Sequence, residues 1–185
     1  SDLGQQTVAK LLHNSGYQTA VIGKWHLISD PQGFDYWNIV PGQGDYYNPD
    51  FIENGVKKRI PGYVTNLTTD FAIDWLDQRD KSKPFFLMYQ QKAPHRNWMP
   101  EEKYYHLFDN AKFPIPANYC DNYDTRTKAA REQEMEIGTD MHFGYDLKVP
   151  VDSALEKTTG PGPSLQGPLG RLTPEQRKKW DDAYN

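Results

Sequence analysis

An α/β fold with a largely parallel sheet flanked by helices is what the sequence predicts, and three observations predict it. Thr19 to Ile22 and Phe85 to Tyr89 are short apolar runs, β-branched in the first and aromatic-rich in the second. Runs of that length and makeup suit strands covered on both faces. Helical spacing of apolar residues precedes each run. Strands separated by helices pair in parallel, so their C-terminal ends share one edge of the sheet.

Taken in order, Leu3 to Asn14 places Leu3, Val8, Leu11 and Leu12 at helical spacing, with Ser1 or Asp2 as cap and Gly16 as terminator. The Thr19–Ile22 strand follows, and Asp30-Pro31-Gln32-Gly33 is a turn. Phe34 to Val40 reads as a second strand, and Pro41 to Ile60 as loops or a small hairpin. Phe71 to Leu76 is an amphipathic helix that ends near Arg79 and has candidate caps in Thr65 to Asp70. On that reading the glycosylation-like tripeptide Asn66-Leu67-Thr68 is a helix entrance. Phe85 to Tyr89 is the strongest buried-strand signal.

Met99 to Phe108 reads as a helix opened by Pro100-Glu101-Glu102. Phe113 to Pro116 is extended, and Thr125 to Glu136 an exposed helix. Asp140, His142 and Asp146 match no strong metal-ligand spacing and read as a solvated loop. Gly160 to Gly170 is a connector rich in Pro and Gly. Thr173-Pro174-Glu175-Gln176 starts a last helix. The expected organisation is one partial catalytic domain over 1–185, with a core at 1–110, a loop-rich and linker-rich part at 111–172 and a further helix opening at 173–185.

A net charge of -4 argues against a nucleic-acid partner bound through bulk charge. No apolar run is long enough to span a membrane. The single cysteine, Cys120, forbids an intrachain disulfide. An aromatic share of 14% suits a protein that handles sugar rings, and suits a large aromatic core equally.

Chemistry concentrates where the two strong strands end. Gly23-Lys24-Trp25-His26 closes the first, and Lys92-Ala93-Pro94-His95 follows the second. Lys24 and His26 are two apart, so an extended backbone points both to one side. On parallel strands Lys24, His26 and His95 converge, and cations at that edge suit an anion. A snorkelling lysine and a surface histidine account for the same spacing.

Gly16-Tyr17-Gln18-Thr19-Ala20-Val21-Ile22-Gly23-Lys24-Trp25-His26 resembles the second signature of the formylglycine-dependent sulfatases, nearly residue for residue. Ala93-Pro94-His95 is similar to another of the family's active-site elements, and Phe34-Asp35-Tyr36-Trp37 to its stretch after the signature. The nearest-looking members are bacterial enzymes that desulfate host glycans. The resemblance implies an alkaline-phosphatase-like fold and sulfate-ester hydrolysis. It also implies a formylglycine nucleophile, a calcium ion held by Asp and Asn side chains, and a periplasmic or secreted location. By position it implies that Lys24 contacts the sulfate, that His26 bonds the formylglycine hydroxyl, and that His95 serves the leaving alcohol or the sulfate. Lys92, Arg96, Asn97 and Trp98 are candidate sugar contacts, with a loop-anchoring aromatic and solvated neighbours as the alternative for all four.

The departures matter as much. No Cys/Ser-x-Pro-x-Arg nucleophile motif is present, since Cys120 is followed by Asp121-Asn122-Tyr123. The Asp pair that holds calcium and the late Asp-Asn-Gly element are absent from these residues. The expectation is an internal piece of a sulfatase whose partners are a sulfated glycan or other sulfate ester and the remainder of the chain, with calcium and formylglycine lying outside it. On its own it is expected not to turn over an aryl sulfate. The rival readings are a non-catalytic anion- or glycan-binding module, and a two-zinc phosphatase or phosphodiesterase of the same superfamily, for which no Asp/His cluster is seen. A third is an aryl- or choline-sulfatase.

Overall fold

The computed structural model describes residues 4–135, 140–148 and 166–184. They divide into two compact units, Ser1–Met99 with Gln166–Arg177, and Pro100–Leu165 with Lys178–Asn185.

The first unit is built on a five-stranded sheet. Its strands are β1 (Gln18–Trp25), β2 (Tyr36–Pro41), β3 (Asp50–Glu53), β4 (Val56–Arg59) and β5 (Phe85–Gln90), in the order β4-β3-β2-β1-β5. β1 runs parallel to both neighbours, with Ile22 opposite Asn38 of β2 and Tyr89 of β5. β3 and β4 add an antiparallel hairpin, so Pro41 to Ile60 holds the small hairpin rather than loops alone. Asn54 and Gly55 join its strands at positive φ, 44° and 89°, as a two-residue type I′ turn requires.

Ala20, Val21 and Ile22 of β1 are fully buried, which is why this strand is continuously apolar. Asp35 ties down its beginning. One Asp35 carboxylate oxygen accepts the Thr19 backbone N–H at 2.8 Å and lies 3.1 Å from the Thr19 hydroxyl. Asp35 thus has a structural duty at the far end of the strand from Lys24.

Two helices cover the sheet, α1 (Val8–Asn14) and α2 (Val64–Gln78). The Tyr89 hydroxyl bonds the Thr69 hydroxyl of α2 at 2.7 Å. Met88, its neighbour along β5, borders a cleft with Val8 and Ala9 of α1. Successive strand residues point to opposite faces, so the helices lie on opposite faces of the sheet.

Several boundaries differ from expectation. α1 begins at Val8 because Thr7 caps it, accepting the Lys10 N–H at 3.3 Å; Ser1 and Asp2 lie outside the described residues. α2 begins at Val64, and Tyr63 makes no side-chain cap. The Val64 N–H is met instead by the Tyr46 carbonyl at 2.8 Å, a long-range partner no local pattern reveals. β5 is the sheet's edge, with Phe85 and Tyr89 42% and 44% exposed, so its apolar run does not mark a strand covered on both faces here. Its apolar residues still serve both helix layers: Phe85 packs edge-on to Trp75, and Phe86 stacks on Phe34.

In the second unit, the expected helix at Met99 to Phe108 is a single 3-10 turn, Glu102–Tyr104, followed by turns. The exposed helix predicted at Thr125 to Glu136 is one turn, Lys128–Arg131. Asp146 is buried, and its carboxylate accepts the His142 backbone N–H at 2.8 Å, so it is neither a solvated loop residue nor an open ligand. Most of the Gly160–Gly170 connector lies outside the described residues, and Gln166–Leu169 is helical. The last helix, Pro174–Tyr184, opens with Thr173 and Gln176 in a reciprocal capping box, at 3.2 and 2.9 Å. Further along it Trp180 packs with Tyr105 and Tyr184.

Candidate active site

Three parallel strands, β1, β2 and β5, end at one edge of the sheet. Gly23 stands opposite Gln90, and Trp25 opposite Pro41. Lys24 is the second-last residue of β1, and Lys92 lies two residues beyond β5. The loop after β2 brings them together. The Lys24 ammonium donates to the Gln43 side-chain oxygen at 2.7 Å, and the Lys92 ammonium to the Gln43 backbone carbonyl at 3.0 Å. Lys92 also lies 4.4 Å from the centre of the Tyr46 ring, a cation–π contact.

This is a small concentration of positive charge in a partly dry setting. Lys92 is 4% exposed. Burial lowers its pKa to about 8, the neighbouring Lys24 charge pushes the same way, and Asp45 opposes both. Burial also lowers the pKa of Lys24. An ammonium in a low-dielectric setting beside a like charge calls for a compensating anion.

The sign of the Lys92 shift fixes a prediction. Below about pH 8 the lysine is charged in folded and unfolded chains alike, and the fold bears the cost of burying it. Between about 8 and its ordinary 10.5 the unfolded chain holds the extra proton, so stability rises with pH across that window. Lys92→Met should therefore melt higher than wild type near pH 7, and the gap should close at high pH. A variant that melts lower at neutral pH would contradict this.

His26 and His95 are placed separately. His26 is exposed and borders, with Lys24 and Trp25, a cleft of about 680 Å³ on the α1 face that Gln90 and Gln91 also line. His95 follows Lys92 by a turn, its N–H bonded to the Lys92 carbonyl at 3.0 Å and its own carbonyl accepting the Tyr46 hydroxyl at 2.7 Å. Its Nδ1 bonds the Arg96 carbonyl. No hydrogen bond joins His26 to Lys24, Lys92 or His95 among the described residues. The structure thus unites Lys24 with Lys92, ties His95 to Lys92 through the backbone, and leaves His26 in the adjoining cleft.

Of the other candidates, Trp98 donates its indole N–H to the Pro94 carbonyl at 2.6 Å and so closes the His95 turn. Asn97 is 7% exposed and Arg96 half-buried. Gln43, Asp45 and Tyr46 escape sequence reasoning. One signal marks them: Gly42-Gln43-Gly44 directly follows a parallel strand, and Gly42 and Gly44 both take positive φ, 61° and 69°. A Cβ on Gly44 would lie 2.3 Å from Val40 Cγ1, so only glycine lets this loop fold back on its strand.

Two ammonium groups gathered at the ends of parallel strands give this α/β protein an edge whose charge suits an anion. Comparison with known proteins gives that class a family. A sulfatase family model matches residues 1–148, and the chain belongs to that family. The sheet is part of its alkaline-phosphatase-like fold. The chain is 52% identical over 184 residues to an N-acetylglucosamine-6-O-sulfatase of Bacteroides thetaiotaomicron, spanning 97% of this chain and 32% of that protein. It is 31% identical over 120 residues to the N-acetylglucosamine-6-sulfatase of Homo sapiens, spanning 56% of this chain and 22% of that one. A solved structure in complex with its substrate D-glucosamine-2-N,6-O-disulfate superposes with a TM-score of 0.82 at 50% identity, covering 99% of this chain and 37% of the other. The chain thus spans about a third of the length of the bacterial relative and of the solved protein.

Among the described residues no group of three or more His, Cys, Asp or Glu is placed to hold a metal ion, and no helix is long and apolar enough to cross a membrane.

Proposed function

We propose that this chain carries the anion-recognising part of a sulfatase that hydrolyses a sulfate ester on a glucosamine-type sugar. One observation supports it above the rest: Lys24 and Lys92, from two parallel strand ends, meet at Gln43. Sulfate transfer shifts negative charge among oxygens, and preorganised cations lower the cost of that shift more than water does. Lys24 and Lys92 would meet the sulfate oxygens. His95 would hold or pass the proton of the sugar oxygen, and His26 would act from the adjoining cleft. Arg96 would face the sugar, while Trp98 keeps the His95 turn closed.

Formylglycine and calcium belong to this proposal as the family's usual equipment. In this proposal the ion and the nucleophile are held elsewhere in the protein. A periplasmic or secreted location fits a host-glycan substrate. The sugar is inferred from the relatives that are 6-O-sulfatases of N-acetylglucosamine and from the solved substrate complex.

The test is sulfate release, measured by ion chromatography, from N-acetylglucosamine-6-sulfate by the protein in its full natural length. The expected result is release of sulfate from the sugar ester and no phosphate from the matching phosphate ester. Binding without release would favour a non-catalytic glycan-binding module, and phosphate release a phosphatase.

A further inference from the structure

We propose that Arg171 is a positioning residue for this anion site, holding Asp45 in an ion pair so that its carboxylate does not neutralise Lys92 and Lys24. The inference rests on the sulfate-ester reading for its ligand, and on geometry for the rest.

Arg171 reaches back from the end of the loop-rich part of the chain. Its Nη2 lies 2.8 Å from Asp45 Oδ2, and its fork spans Asp50 at 3.1 and 3.2 Å. The main chain beneath it is pinned as well. The Asn48 amide donates to the Arg171 carbonyl at 2.6 Å and to Gln176 Oε1 at 2.8 Å, and Asn48 Oδ1 accepts the Gly62 N–H at 2.9 Å. Asp45 and Arg171 are both largely sheltered, with side chains 27% and 20% exposed.

Asp45 stands between the two residues that hold Lys92. Gln43 lends its carbonyl and Tyr46 its ring face. The groups that act on Lys92 are therefore Lys24 from β1, and Gln43, Asp45 and Tyr46 from the loop; Asp45 is the anion among them. Opposite charges in a sheltered site attract strongly enough to reorient a side chain. Released from Arg171, the Asp45 carboxylate would turn to the lysines and occupy the place of a ligand oxygen. Arg171 suits the task because one planar fork engages both carboxylates at once, which a lysine ammonium does less well.

The experiment uses the full-length protein carrying isotope-labelled lysine, with the Lys92 Cε resonance assigned against Lys92→Met and followed through a pH titration. Inorganic sulfate is titrated calorimetrically in parallel. Arg171→Met is expected to raise the Lys92 midpoint by about one pH unit and to weaken sulfate binding about tenfold. Adding Asp45→Asn should return both to wild-type values, a rescue that a merely structural role for Arg171 would not produce. An unchanged midpoint in Arg171→Met, or a double variant no better than the single, overturns the proposal. If Arg171→Met does not fold, Arg171→Lys and Asp45→Asn decide the matter. The first should raise the midpoint and the second lower it, and no movement in both is equally fatal. A wild-type protein that binds no sulfate overturns the sulfate reading alone, because the Lys92 midpoints still report on Arg171.

Discussion

Lys24→Met is expected to lower kcat for sulfate release by about 10²–10³-fold in the full-length protein, the usual cost of losing one preorganised charge that meets the transition state. The position explains the size. Lys24 sits on β1, the central strand of the three parallel ones, where its Cα pairs with Val40 of β2 and directly follows the last β1–β5 pair, Gly23 with Gln90. Only its side chain adapts, and Gln43 holds the ammonium at 2.7 Å. A cation placed this firmly needs little rearrangement as charge moves onto the sulfate oxygens. If Lys24 only gathered substrate, KM would rise while kcat stayed within a few-fold, and the two constants separate these cases. An unchanged kcat would remove Lys24 from the chemistry.

Gly23→Ala is expected to destabilise the fold by about 3–5 kcal/mol, combining backbone strain with overpacking. Gly23 has φ of +113°, outside the range that residues with a side chain readily adopt. A Cβ there would lie 1.8 Å from the Gln90 carbonyl oxygen and 3.0 Å from Thr68 Cγ2. The first obstacle is backbone of the neighbouring strand, and the second belongs to a fully buried threonine of α2. Neither can swing away. Relief requires β1 and β5 to separate, and those strands position Lys24 and Lys92. Denaturant unfolding of the full-length variant should show the loss, a large part of a typical domain's 5–15 kcal/mol in order of magnitude. A variant within about 1 kcal/mol of wild type would show that the strands yield there without cost.

The parallel pair was legible because it follows from local composition. Thr19 to Ile22 is apolar since β1 is covered on both faces, and the residues after each strand necessarily lie at one edge once the strands are parallel. Lys24 and Lys92 could be read for the same reason. The edge position of β5 could not, because an apolar run describes faces, while an edge is defined by which strand is hydrogen-bonded alongside. The start of α2 was equally hidden, since its first N–H is met by Tyr46, remote in sequence. The site's loop was half legible. Two glycines after a strand announce a tight turn, but the contact of Asn48 with Arg171, 123 residues apart, depends on the whole fold. His26 shows the converse: a strong motif position that the fold places in the adjoining cleft with Lys24, with no hydrogen bond to either lysine among the described residues.

Gln43 has a consequence for how fast a ligand leaves. It offers one neutral oxygen to Lys24 and another to Lys92. Neither ammonium waits bare for an anion. On the proposed reading an incoming sulfate group would displace a resident competitor, and a departing one would be replaced by it, so neither lysine would pass through an unsolvated state. Binding is thereby an exchange of acceptors, weaker than capture by naked cations and quicker to reverse. For a site that releases an oxyanion product, as proposed here, such a tethered surrogate would favour turnover over retention.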